Sequence, residues 1–277
     1  MVDPAAAAKL AARLEPCHSF IYFAPEAGLN FHALGLKGGA GYFVSRSAAM
    51  GAVPAEVVIA TFYNFKPDLV RESMADAWTI TTPEAVLEAR FDAAGKAIRS
   101  MLGDQAESPD LVAVTELVRG AMADVSPAGR ALYAGHASLP WPTDPVQAFW
   151  HAITLIREYR GDAHVSALML EGLDPVEALV THAASGLLRL PKNLLQATRA
   201  WTDEEWAAAE ERLRERGLLD DEGGFTADGT AQRRRVEELT TRSSLAPYEA
   251  MGDDGMARLA ELVEPFSKTI RTVMFTR

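Results

Sequence analysis

The stretch 212–240, RLRERGLLDDEGGFTADGTAQRRRVEELT, decides how the rest of the chain is read. A helix carrying Arg212, Arg214 and Arg216 stops at Gly217, a residue that tolerates the left-handed conformation a helix C-terminus adopts. Leu218-Leu219-Asp220 and Phe225-Thr226 follow as two short apolar-containing segments about Gly223-Gly224, the pattern of a β-hairpin. Thr226-Ala227-Asp228-Gly229 then opens a long helix rich in Arg and Glu that runs toward Leu245.

Upstream, the punctuation is that of short packed helices. Asp174-Pro175-Val176-Glu177 and Thr202-Asp203-Glu204-Glu205 each place a capping residue three positions before a glutamate that can bond back to it. Leu190-Pro191 leads into a helix from Asn193 to Trp201. Three helices, a hairpin and a following helix make a winged helix-turn-helix. The expected architecture is therefore mainly α, with a short hairpin wing in the C-terminal part.

Comparing the chain with itself extends that reading. Val44-Ser45, Gly51, Pro54-Ala55-Glu56 and Val58 align with Val165-Ser166, Gly172, Pro175-Val176-Glu177 and Leu179 at one offset of 121. After small insertions Pro67 aligns with Pro191, and Trp78-Thr79 with Trp201-Thr202. The pattern predicts tandem duplicated, winged-helix-like halves. Residues 1–125 would be a degenerate N-terminal copy. Residues 126–277 would hold an apolar helix over 146–159, the winged helix over 163–245 and a C-terminal helix. The proline-rich run Leu139-Pro140-Trp141-Pro142-Thr143-Asp144-Pro145, just before that apolar helix, excludes regular helix and central strand.

The 212–240 segment resembles the wing and following helix of MarR-like bacterial regulators. Nearly the whole chain is similar to an actinobacterial winged-helix-like family, notably in GDAHVSAL (161–168) and FYNFKPDLV (62–70). That resemblance implies a fold and carries no particular activity, since one fold hosts many functions.

Charge argues against the regulator's usual work. The chain has 277 residues, a net charge of −11 and one cysteine, Cys17, so overall electrostatics repel nucleic acid and no internal disulfide exists. The helix in the DNA-reading position has six acids (Asp203, Glu204, Glu205, Glu210, Glu211, Glu215) against three arginines, and its first turn is wholly acidic. The wing tip, Asp220-Asp221-Glu222, is acidic too. Carboxylates facing phosphate gain nothing from counterion release. Arg233-Arg234-Arg235 is the one positive run nearby, and Glu237 and Glu238 stand ready to pair with it. With no apolar run of spanning length and no leader-like N-terminus, a cytoplasmic protein is expected.

A small-molecule ligand, anionic or aromatic, is the partner expected instead, in a pocket between the duplicated halves, which would make the chain its own pseudo-dimer. The centre of interest is 156–166, where five ionisable side chains fall within eight positions from Arg157 to His164. Ligand-binding candidates are Arg157, Arg160, Trp150, Tyr42, Arg46, Tyr63, Asn64, His18 and Tyr22, with Phe62 as a further apolar wall. Tyr42 and Arg46 share a helical face, as do His18 and Tyr22. An enzyme on the same scaffold would use His164 or His151 as a base, oriented by Asp162 or Glu158, with an arginine stabilising negative charge. A MarR-like DNA-binding regulator is the third possibility. His136 and His182 read as structural. No metal-ligand spacing is present, and no haem ligand or other cofactor is specified.

Overall fold

The computed structural model describes residues 2–186 and 192–276. Proline writes the start of many helices: Pro4–Leu14, Pro16–Ser19, Pro25–Ala33, Pro67–Met74, Pro83–Leu102, Pro109–Met122, Pro145–Leu170 and Pro175–Ala184. At that position its missing N–H is one the helix would leave unpaired anyway, and its fixed φ suits the first turn. Asp3, Thr82, Ser108 and Asp174 cap four of these helices through side-chain oxygens. The remaining helices of eight residues or more are Ala40–Ser47, Ala55–Phe62, Lys192–Arg199, Asp203–Glu215, Ala227–Ser243 and Ala246–Thr276, the last broken at Gly252.

Packing divides the chain into two compact units. Unit 1 comprises Met1–Val53, Asp76–Asp162 and Thr241–Arg277; unit 2 comprises Pro54–Ala75 and Ala163–Thr240. In unit 1 the Ala246–Thr276 helix packs on Pro109–Met122 and Pro4–Leu14, and Pro25–Ala33 packs on Pro83–Leu102. Phe149 and Ile153 of the Pro145–Leu170 helix are fully buried, with Phe149 edge-on to Phe266. Truncating such a phenylalanine to alanine typically costs about 3–5 kcal/mol, through lost transfer energy and the cavity left behind. Unit 2 has its own core of Leu173, Leu179, Leu195, Trp206, Leu213 and Val236.

The expected β-hairpin wing is not formed: the described residues contain no strand, and Leu219 and Phe225 make one isolated antiparallel bridge. The reason is length. Asp220 N–H donates to Gly224 O (2.9 Å), Gly224 N–H to the Asp220 carboxylate (2.7 Å) and Gly223 N–H to Asp220 O (3.1 Å), so the turn consumes the residues a ladder would need. Gly229 closes the far side. A Cβ there would lie 2.0 Å from Leu218 O, so only glycine permits the approach.

The compact units divide the chain differently from the sequence repeat. Ala55–Phe62 and Pro67–Met74, which belong to the first repeat, lie in unit 2 together with Pro175–Ala184 and Lys192–Arg199 of the second. Lys66 N–H donates to Arg199 O (3.0 Å) and Trp201 Nε1 to Asn64 O (3.0 Å), so the repeats do not each build a lobe. Residues 125 and 126, where the halves were divided, both lie in unit 1. Leu190-Pro191 lies outside the described residues. Mainly helical architecture is what holds.

The helix expected over 146–159 runs further, as Pro145–Leu170, 26 residues long and passing through Gly161. One glycine inside a helix costs only about 1 kcal/mol. Among the described residues no single helix is long and apolar enough to cross a membrane.

Candidate functional site

Trp150, Thr154, Arg157 and Glu158 fall at i, i+4, i+7 and i+8 of the Pro145–Leu170 helix and so share one face. Opposite it in unit 1 stand His18 from Pro16–Ser19, Tyr22 from the following 3₁₀ turn, Ser45 and Arg46 from Ala40–Ser47, and Arg90 from Pro83–Leu102. His18, Ser45, Arg46, Arg90, Trp150, Thr154 and Glu158 are all buried. His18 stacks on Trp150 with ring centroids 5.5 Å apart.

A hydrogen-bond relay fixes the imidazole. Thr154 Oγ1 donates to Trp150 O (2.8 Å), which spends its only proton. It therefore accepts from His18 Nδ1–H (2.9 Å), which leaves His18 Nε2 to accept from the Tyr22 phenol (2.8 Å). The tautomer is thus assigned from the network. Burial, reinforced by the charge of Arg157, holds the His18 pKa well below the ordinary histidine value, so the ring is neutral.

Around this relay lies an excess of positive charge. Glu158 accepts from Arg157 Nη1 (3.0 and 3.1 Å) and from Arg46 Nη2 (3.3 Å), while Arg46 Nη1 donates to Tyr42 Oη (2.7 Å). Burial alone would raise the Glu158 carboxyl, but Arg157 and Arg46 outweigh it and keep it ionised well below the usual carboxylate range. Glu15 adds a longer contact to Arg157, 3.7 Å away and half-exposed. Arg90 is different. Its Nη1 donates to Ser45 Oγ (3.0 Å) and its guanidinium lies 5.0 Å from the Trp150 ring centroid, but Nε and Nη2 make no hydrogen bond among the described residues. Burial lowers the Arg90 pKa, with the Tyr22 phenol opposing.

Arg90, Ser45, Tyr22 and Tyr42 line the polar part of a cavity of about 570 Å³, whose apolar wall includes Phe31 and Leu36. That volume falls in the range of small-molecule sites, which pair apolar walls with a few convergent polar groups. The cavity is lined entirely by residues between Ile21 and Arg90, all in unit 1, and not by both sequence halves as expected.

Of the residues expected at a site, His18, Tyr22, Tyr42, Arg46, Trp150, Arg157 and Glu158 come together here. His151 sits elsewhere in unit 1, edge-on to Phe91 and Trp141, with burial lowering its pKa to about 4. No hydrogen bond joins it to Glu158 among the described residues. Arg160 lies toward Tyr248. Asp162 accepts from Tyr133 N–H (3.0 Å), and burial raises its carboxyl to about 6. His164 belongs to unit 2, where Nδ1 meets Thr240 Oγ1 (3.0 Å). Tyr63 and Asn64 also lie in unit 2. The Tyr63 phenol donates to Leu173 O, and the buried Phe62 and Phe65 flank Tyr63 and Asn64 in sequence. His164 and Asp162 are thus each bonded to a different segment, while neither ring nitrogen of His151 has a hydrogen-bond partner among the described residues. His136 is buried with neither ring nitrogen bonded, and His182 is lowered to about 4 by burial.

Arg90 was missed. The sequence did carry a signal: Val86, Arg90, Ala93, Ala94 and Ala97 occupy one buried stripe of the helix, and an arginine in an otherwise apolar stripe is a buried charge needing an explanation.

Unit 2 uses its arginines otherwise. On Asp203–Glu215 and its C-terminal cap, Arg212 binds Asp174 (2.6 Å) and Glu177 (3.0 Å), Arg216 binds Glu177 (3.0 Å), and Arg214 binds Glu211 (3.1 Å). Lys66 pairs with Glu205 (2.8 Å) and Lys192 with Glu210 (2.7 Å). Arg233 pairs with Glu237, and Arg235 with Glu171 (2.9 Å).

No group of three or more metal-ligating side chains occurs among the described residues. Cys17 is buried, and burial pushes its thiol pKa far up. A family model described as a helix-turn-helix family matches residues 7–276. Neither a curated protein nor a solved structure matches the chain.

Proposed function

This chain belongs to a helix-turn-helix family, and from that premise we propose that it works by binding a small, largely apolar anion in the unit 1 cavity, with DNA reading lost. The observation that carries the reading is Arg90: a fully buried guanidinium among the residues that line the cavity, with no carboxylate in salt-bridge contact among the described residues. A buried charge without a counter-charge is costly, so such a group is retained where something else offsets it. Arg46 and Arg157 contact one fully buried carboxylate, Glu158, Arg157 also lies 3.7 Å from the half-exposed Glu15, and Arg90 adds a third buried guanidinium. An incoming anion balances that surplus.

Family membership favours a second reading, a DNA-binding regulator. Against it, the arginines on the reading helix are committed to Asp174, Glu177 and Glu211, and the helix begins with three acids. A base held by an internal carboxylate has little charge left for a phosphate.

Two measurements test this. A thermal-shift panel of bicyclic apolar anions should raise the melting temperature of the wild type and not of Gly28→Phe. Gly28 lines the cavity, and a Cβ there meets nothing within 4 Å, so the ring obstructs the opening without a clash at its root. Fluorescence anisotropy with random duplex DNA should show weak binding with a shallow salt slope. A steep slope between 50 and 200 mM salt, with no anion stabilising the protein, would restore the regulator (such slopes count neutralised phosphates, roughly 0.9 per contact).

A further inference from the structure

The cavity in unit 1 has a charge bias that the chain as a whole does not share. On a protein of net charge −11, the described residues lining it include two cations, Lys37 and Arg90, together with His32, and no aspartate or glutamate. A cleft of one sign draws the opposite sign into it. The two cations are not equivalent. Arg90 stands at the buried end: its Nε and Nη2 have almost no accessible surface, Ser45 Oγ takes Nη1 (3.0 Å), and the rings of Trp150 and Tyr22 lie 5.0 and 6.0 Å from the guanidinium. The hydroxyls beside it are committed as well, Tyr22 to His18 Nε2 (2.8 Å) and Ser45 toward Tyr42 O (3.4 Å). Phe31 and Leu36, both buried, make the same end apolar. A charged group pushed there would shed its water and find no donor in exchange.

Lys37 stands at the other end. It is exposed, as are its lining neighbours His32, Gly38 and Phe23. Lys66, Lys96 and Lys192 are each paired with a carboxylate, whereas Lys37 has no ion pair among the described residues. A Cβ at Gly38 would meet nothing within 4 Å, so the space beside Lys37 admits a hydrated group.

Resting on the anion-binding reading above, we infer that the ligand is an amphipathic anion bound tail-first. Its apolar body lies against Phe31 and Leu36, and its charged head stays at the rim on Lys37, still in contact with water. Arg90 acts on it through the field of its charge and not through a hydrogen bond. An ammonium is a point charge with rotatable donors, so planar and tetrahedral heads suit it alike. The cavity therefore selects the body and asks of the head only a negative charge, which a carboxylate, a sulfonate or a phosphate monoester each supplies.

The test compares three probes sharing one apolar body, 2-naphthoate, naphthalene-2-sulfonate and 2-naphthamide, by calorimetry on the wild type, Lys37→Gln and Lys37→Glu. Because Lys37 is exposed, both variants keep the fold. The two anions are expected to bind the wild type with similar affinity, and about 2- to 5-fold more tightly than the amide at low salt, the range of an exposed ion pair. That margin should shrink at high salt, disappear in Lys37→Gln and turn into a deficit in Lys37→Glu, while the amide binds all three proteins alike. A margin unchanged in both variants would overturn the tail-first placement and leave anion binding standing. So would binding of the carboxylate without the sulfonate, which would mean a head held by directional donors. Anions and amide binding the wild type equally, or no probe binding at all, would overturn the inference and the anion reading together.

Discussion

Units 1 and 2 both bury a glutamate against two arginines, yet the two clusters do opposite things with charge. In unit 2, Glu177 is the hub for Arg212 and Arg216, which are 43 and 36 % exposed, and Asp174 supplies a second acid, so charge is balanced and the heads are wet. In unit 1, Glu158 serves Arg46 and Arg157 while a third arginine, Arg90, is buried beside them with no acid of its own. A buried pair that is complete is weak evidence of anything but structure. A buried cluster that is incomplete in a consistent direction, here positive and against a cavity, is evidence of what it is incomplete for.

Removing the two hubs sharpens the contrast. Glu158→Gln leaves two guanidiniums in a buried cluster without their counter-charge, and a loss of about 3–5 kcal/mol in denaturant-induced unfolding is expected. Glu177→Gln should cost only about 1–2 kcal/mol, because Arg212 keeps Asp174 and both arginine heads reach water. Equal losses would break the comparison.

The smallest effect concerns pH. Burial raises the Asp162 carboxyl to about 6, so folding favours its protonated form. Its contribution is full below about pH 4 and is lost as pH rises through 6. Asp162→Asn, neutral throughout, should be more stable than wild type by about 1 kcal/mol at pH 8 and indistinguishable at pH 4, allowing for partial exposure. A gain at pH 4 as large as at pH 8 would show that titration is not the cause.

Local rules were readable directly. The capping boxes Asp174/Glu177 and Thr202/Glu205 form as written, and proline marks the first turn of helix after helix. These signals depend on neighbours within a few positions. What the sequence hid depends on space. The wing fails because Asp220 turns the chain on itself, a choice between a turn and a ladder that a few residues decide. The duplication pattern is visible as punctuation, but repeats need not fold as lobes when their helices pack with each other. His164 and Asp162 look like a pair two residues apart, and each is bound by a different distant segment, Thr240 and Tyr133. Arg90 looked like one more charge on a helix until its stripe proved buried.

The relay behind Tyr22 has one last effect. Because Thr154 has given its proton to a carbonyl and the imidazole has given its own to Thr154, the phenol's hydrogen points away from the cavity, at Nε2. The phenol oxygen keeps only lone pairs to offer, and the guanidiniums around it, Arg157, Arg46 and Arg90, favour that accepting role.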